Sequence, residues 1–186
     1  AGILQVGNGG TTGDLGSTTG TITNNGTLVF NRSSASSALT IANADLSAAA
    51  EGTGGLIALY AGGDPEDPGT GTSGNVEIGA GAALTTGAGG RIYAASALGT
   101  IDMRSGSRMS AQGGMVHFRA QRNGNSPGVN LAGTIDGATT VTAEAVEAIS
   151  VVDGAIDADE IGQAFSRADA FLDGAFPGPL VLDVAD

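Results

Sequence analysis

Residues Val129–Ala143 read VNLAGTIDGATTVTA, and their reading decides the fold class. Three short apolar runs, Val129–Leu131, Thr134–Asp136 and Thr139–Ala143, follow each other with only Ala132-Gly133 and Gly137-Ala138 between them. Inside the runs, apolar side chains alternate with Asn130, Thr134, Asp136, Thr140 and Thr142. That period of two belongs to strands with one buried face. Connections this short leave no room for a crossover helix.

Outward from that stretch the pattern repeats along the chain. It recurs at Ile3–Val6, Thr21–Thr23, Thr27–Phe30, Ala38–Ala42, Leu56–Tyr60 and Val76–Ile78. It continues at Ala83–Thr85, Arg91–Ala94, Thr100–Met103, Met115–Arg119 and Ala148–Val152. A β-sandwich calls for about seven longer strands joined by hairpins. Here the runs are roughly twice as numerous and very short, which suits a solenoid whose coils pair with the coils above and below. Only Asn25-Gly26 reads as a hairpin turn. The expected fold is therefore all-β, a parallel β-helix over residues 1–156, with coils of about 20 residues and eight or nine of them.

Two segments depart from the pattern. Residues 61–74, AGGDPEDPGTGTSG, hold two prolines and three acids and read as a loop thrown out from a coil. Residues 157–173 switch to helical spacing, with Ile161, Phe165, Ala168 and Leu172 on one face. Asp157 or Asp159 can cap that helix, and Gly174 and Pro177 end it. Residues 157–186 are thus expected to form a short α-helix and a last strand, as a cap or flank of the solenoid.

Composition narrows function. Glycine is abundant, at 33 of 186 residues, without the strict triplet repeat of collagen. There is no Cys, which removes disulfides, thiolate metal sites and cysteine nucleophiles. With 19 acids against seven basic residues, all Arg, the net charge is −12. Nucleic acid and anionic membranes are poor partners for such a chain. No apolar run approaches the roughly 20 residues that span a bilayer, so no membrane insertion is expected. The start, without Met or signal peptide, reads as that of a mature piece.

The catalytic patterns in the sequence fail on chemistry. Gly124-Asn125-Ser126-Pro127-Gly128 matches G-x-S-x-G, but the residue after the serine must supply an oxyanion-hole N–H, which Pro127 lacks. Gly69–Gly74 matches G-x-G-x-x-G without the strand before it and the helix behind it. His117, the one histidine, alternates outward on Met115–Arg119, with no partner in sequence reach. The acids Asp64, Glu66 and Asp67, and Asp157, Asp159 and Glu160, lack calcium-loop spacing. Asn25-Gly26-Thr27 and Asn31-Arg32-Ser33 match only the weak glycosylation pattern. Glu77 and Asp102 could stack on one face in successive coils, as a glycosidic carboxylate pair would. Against that, there is no Trp and only two Tyr to form a sugar platform.

Two parts of the chain resemble known families. Residues 3–32, with LQVGNGGTTG and NNGTLVFNR, resemble the repeats of bacterial autotransporter passenger domains. Residues 74–164, with GGRIYAAS, GGMVHFRAQR and VNLAGTIDGATTVTAEAVEAISVVDGAIDA, resemble repeats of filamentous-haemagglutinin-like large exoproteins. Both resemblances imply a right-handed parallel β-helix outside the cell, on the bacterial surface, with no catalytic residues in the repeats. They imply adhesion, matrix or filament building, with a host or neighbouring cell, a matrix, or further copies end to end as partners. No catalytic, cofactor-binding or metal site is expected. The alternative is an extracellular carbohydrate-active β-helix enzyme with paired carboxylates. Repeat arrays need covered ends. The expected cover at the C-terminal end is the helix over 157–173. The edge Ile3, Leu4, Gln5, Val6 is expected to be completed by further sequence or a second copy.

Overall fold

Short strands of small and branched residues cannot bury their apolar faces alone, and here each does so by stacking on its equivalent one coil away. The computed structural model describes residues 2–10, 20–32, 39–62, 74–123, 126–146 and Ser166. The first coil contributes β1 (Ile3–Gly10) and β2 (Gly20–Asn24). The second holds β3 (Thr27–Arg32), β4 (Leu39–Ile41) and β5 (Ala44–Thr53). The third holds β6 (Leu56–Ala61), β7 (Val76–Ile78) and β8 (Ala83–Ala88). The fourth holds β9 (Arg91–Ser96), β10 (Ile101–Met103) and β11 (Arg108–Ala111). The fifth runs through β12 (Met115–Asn123), β13 (Ser126–Pro127), β14 (Val129–Leu131) and β15 (Thr134–Asp136), and β16 (Thr140–Val146) opens the next.

These strands form three sheets that run the length of the solenoid. The first joins β1, β3, β6, β9, β12 and β16, the second β4, β7, β10 and β14, and the third β2, β5, β8, β11 and β15. All pairings are parallel except the small β12–β13 hairpin, where Arg122 faces Pro127 and Asn123 faces Ser126. The parallel β-solenoid expected from the periodicity is the fold observed.

The interior consists of unbroken apolar rows. Leu4, Leu28, Ile57, Ile92, Val116 and Val141 stack through the first sheet. Ile41, Ile78, Met103 and Leu131 stack through the second, and Ile22, Leu46, Leu84, Met109 and Ile135 through the third. Middle members such as Ile57, Leu84, Met103 and Val116 are fully buried. Each buried Leu, Ile or Met stabilises the fold by about 1.5–3 kcal/mol before entropy is counted. Corners are braced by small polar groups: Ser96 Oγ donates to Gly74 O at 2.5 Å and accepts from Gly99 N at 2.8 Å.

Two expectations need correction, the coil repeat and the hairpin. Ile3 lies beside Thr27, Thr27 beside Leu56, Leu56 beside Arg91, Arg91 beside Met115 and Met115 beside Thr140. Every one of these steps takes more chain than the expected repeat, the step from Leu56 to Arg91 most of all. Coils are therefore longer and fewer than expected, and four are complete among the described residues, because the corners absorb more chain than the strands suggest. Asn25-Gly26 is a corner and not a hairpin: β2 pairs with β5, while β3 pairs with β1 and β6. Gly26 is needed there because a Cβ would run into the backbone of Gly2. The hairpin instead falls at Arg122–Pro127, where Pro127, having no N–H to give, sits on a sheet edge. The expected loop over 61–74, beyond Gly62 and before Gly74, and the helix over 157–173, apart from Ser166, lie outside the described residues.

Candidate functional site

Outward side chains are not fixed by the core, so differences between the three outer faces carry functional information. On the second sheet, Thr40, Glu77, Asp102 and Asn130 stand in register. With strands about 4.8 Å apart, Glu77 and Asp102 are near neighbours, as the paired-carboxylate reading required. Their surroundings make them part of a ladder. Arg104 Nη2 lies 3.0 Å from Glu77 Oε1, and Arg104 Nε lies 3.4 Å from Asp102 Oδ2. Asn130 Nδ2 donates to Asp102 Oδ1 at 3.0 Å. The third sheet presents Thr23, Ser47, Thr85, Ser110 and Asp136 in one row. There Arg108 Nε donates to Asp136 Oδ2 at 2.6 Å.

The first sheet is different. Both tyrosines of the chain and its one histidine converge on its outer face. Tyr93 is in direct register with His117, with ring centroids 5.0 Å apart. Tyr60 is opposite Ala95 and reaches Tyr93 diagonally, in an edge-on contact of 5.6 Å. Ala58 and Ala95 alternate outward yet are fully buried, forming the floor of this face. His117 Nε2 lies 3.0 Å from Glu144 Oε2. That nitrogen is buried and the approach is off a hydrogen-bonding direction. The histidine is on the outward side, as its alternation implied, but it does have partners, supplied by register across neighbouring coils.

The described residues carry six Arg and six carboxylates, so the whole of the chain's −12 falls outside them. Among the described residues, the strands of the first sheet carry Arg32, Arg91, Arg119, Arg122 and Glu144. On the other two faces Arg104 meets Glu77 and Asp102, and Arg108 meets Asp136.

Insertions fall beside this face. From the first sheet to the second, the chain runs from Phe30 to Leu39, from Leu59 to Val76, from Ala94 to Ile101 and from Phe118 to Val129. From the second to the third it runs only from Ile41 to Asp45, from Ile78 to Ala83, from Met103 to Arg108 and from Leu131 to Thr134. The first set of corners is longer throughout and varies widely, while the second set is short and nearly constant. In repeat proteins, insertions gathered on one side often mark the binding side. At this corner an open cleft of about 520 Å³ is lined by Asn75, Leu98, Thr100, Gln121, Arg122 and Asn123. Asn75 Oδ1 accepts a hydrogen bond there from Thr100 N at 2.9 Å.

Among the described residues β1 pairs with β3 alone, and Ile3 and Leu4 of the edge Ile3–Val6 are 76% and 43% exposed. At the other end Leu131 and Val141 are 41% and 48% exposed, so both end coils show apolar side chains. The described residues include no cluster of three His, Asp or Glu placed to hold a metal, and no helix long and apolar enough to cross a membrane. The acids at 64–67 and 157–160, and Gly69–Ser73 and Gly124-Asn125 of the two glycine patterns, lie outside the described residues. Compared with protein families, curated proteins and solved structures, the chain matches none.

Proposed function

We propose that the chain is a structural and adhesive rod segment of a secreted bacterial surface protein, working in adhesion, matrix or filament building. The observation that carries this reading is the set of unbroken inner rows. They commit the interior to length and stiffness and leave the outer faces free for contact. The resemblance of residues 3–32 and 74–164 to exoprotein repeats supports the same role. Under this reading Glu77 and Asp102 are members of a surface ladder, Arg104 being their counter-ion. The edge Ile3–Val6 then accepts a further parallel strand, from preceding chain or from another copy stacked end to end.

Display of the chain on a non-adherent bacterium tests the proposal. Attachment to host cells, neighbouring bacteria or matrix should rise above that of the undisplayed strain, and no rise would remove the adhesive role. Incubation with a polysaccharide panel should give no turnover. Turnover abolished by Glu77→Gln or Asp102→Asn would establish the enzymatic alternative instead.

A further inference from the structure

On the first sheet the coils come closest at the residue just before each strand. Gly26, Gly90 and Gly114 hold that place before β3, β9 and β12. A Cβ on any of them would run into the backbone of the coil before, at Gly2, Gly54 and Gly90 respectively. Gly2 holds the same place before β1, yet nothing lies within 4 Å of a Cβ built there. A glycine gives up more backbone freedom on folding than an alanine would, and within one copy no close approach calls for it at position 2. The strand that follows is equally unguarded. Exposed edge strands are ordinarily blunted by charge, proline or a cover. Ile3-Leu4-Gln5-Val6 has neither charge nor proline, and Ile3 and Leu4 are exposed. At the opposite end β16 pairs with β12 alone among the described residues, and its inward Val141 is 48% exposed. Leu4 and Val141 are the outermost described members of one inward row, with Leu28, Ile57, Ile92 and Val116 between them.

We propose that a second copy of the chain seats on this edge, β1 of one copy adding as a parallel strand beside β16 of the next. The contact continues an interface that the chain already makes between its own coils. Leu4 then meets Val141 and Val6 meets Ala143, which prolongs the rows running through Leu28 and Phe30. Outward, Ile3 meets Thr140 and Gln5 meets Thr142, so no like charges face each other. Gly2 comes beside Thr139 of the second copy, where the missing Cβ lets two backbones meet, as Gly26 does against Gly2. Thr27 N donates to Gly2 O at 3.0 Å in the existing contact, and Ile3 N takes the same part toward the Thr139 carbonyl in the new one. A second copy suits the edge because each copy carries both halves of the joint. The two halves differ, so the contact is heterologous and repeats into a filament where the rotation does not close. The inference rests on the rod reading and commits its open edge to one partner.

Sedimentation velocity of the whole chain across a range of concentrations reads the association. The average mass of the wild-type chain should rise with concentration. Gly2→Val should weaken association about tenfold or more, because overpacking at the joint opposes it. The same change should leave the circular dichroism and urea midpoint of the single chain unaltered, since the added side chain meets nothing within one copy. Leu4→Asp and Val141→Asp, checked by circular dichroism, should each suppress growth. Mixed together they should form dimers and stop, the intact end of each finding the intact end of the other. Wild-type chain that stays monomeric at every concentration would overturn the proposal, and protected Ile3–Val6 amides would then show that the chain covers its own edge. Association of Gly2→Val at wild-type strength would overturn it too, as would growth past dimers in the mixture. Monomers that still attach to cells or matrix when displayed would sink this inference and leave the rod reading standing. Oligomers that promote no attachment would remove the adhesive role and leave the stacking in place.

Discussion

Replacing Gly114 with alanine should damage the solenoid far more than the same change at its neighbour Gly113. Gly114 immediately precedes β12, and Gly90, one coil earlier, immediately precedes β9. The coils touch at this corner: Met115 N donates to Gly90 O at 3.0 Å, and Thr139 N donates to Gly114 O at 2.8 Å. A Cβ on Gly114 would collide with the Gly90 carbonyl oxygen and lie 3.0 Å from its N and C atoms, all backbone and unable to swing aside. Overpacking of this kind costs about 1–3 kcal/mol. Each of the two inter-coil hydrogen bonds it strains contributes about 0.5–1.5 kcal/mol. Together these terms come to about 2–6 kcal/mol. Gly113 has φ +65° and nothing within 4 Å of an added Cβ. Alanine there meets only the left-handed backbone penalty of about 1–2 kcal/mol.

Urea unfolding followed by circular dichroism measures the difference, and hydrogen exchange at the Met115 and Thr139 amides locates it. Gly114→Ala should lower the unfolding free energy by about 1 kcal/mol or more beyond Gly113→Ala and speed exchange at those two amides. Equal shifts, or a greater loss from Gly113→Ala, would refute the claim that inter-coil approach dictates glycine at this corner.

Leu84, fully buried between Leu46 and Met109, should cost about 2–5 kcal/mol on truncation to alanine, while its outward neighbour Thr85 should cost under about 0.5, both read by urea unfolding. Arg104→Ala should lower stability by less than about 1 kcal/mol, because the cation and both carboxylates it serves are partly exposed; thermal melts at low and high salt should differ little. Leu4→Asp should weaken any head-to-tail association without changing the circular dichroism of the coils. Sedimentation of the wild-type chain as a monomer at high concentration, with protected amides in Ile3–Val6, would remove the open-edge idea.

The interior was legible in the sequence because period-two alternation survives within each strand. Val76-Glu77-Ile78 and Ile101-Asp102-Met103 bury their outer members and turn Glu77 and Asp102 outward. Coil length was not legible, because it is set at corners. Leu59 and Val76 sit on neighbouring sheets of one coil, and no periodicity measures the long stretch of chain between them. Everything that depends on which strand lies beside which was hidden with it. His117 meets Tyr93 from one coil back and Glu144 from one coil on, and Tyr60 meets Tyr93 across the longest coil. One signal could have revealed the register. A glycine precedes each of the first five strands of the first sheet, at Gly2, Gly26, Gly55, Gly90 and Gly114. Aligning the sequence on those glycines brings Tyr93 and His117 into register directly.

In a solenoid each coil contacts only its neighbours, so inward and outward rows answer to different demands. An inward change propagates as lost packing on two adjacent coils, which is why Leu28, Ile57, Ile92 and Val116 differ only among branched apolar types. An outward change touches at most the rungs on either side, and such cross-strand pairs contribute about 0.2–1 kcal/mol each. Stability is therefore a weak constraint on the outer faces. On the second and third sheets the outward rows still follow it, with Arg104 set between Glu77 and Asp102 and Arg108 set on Asp136. On the first sheet the outward row follows it too, Tyr93 stacking on His117 from the next coil with ring centroids 5.0 Å apart.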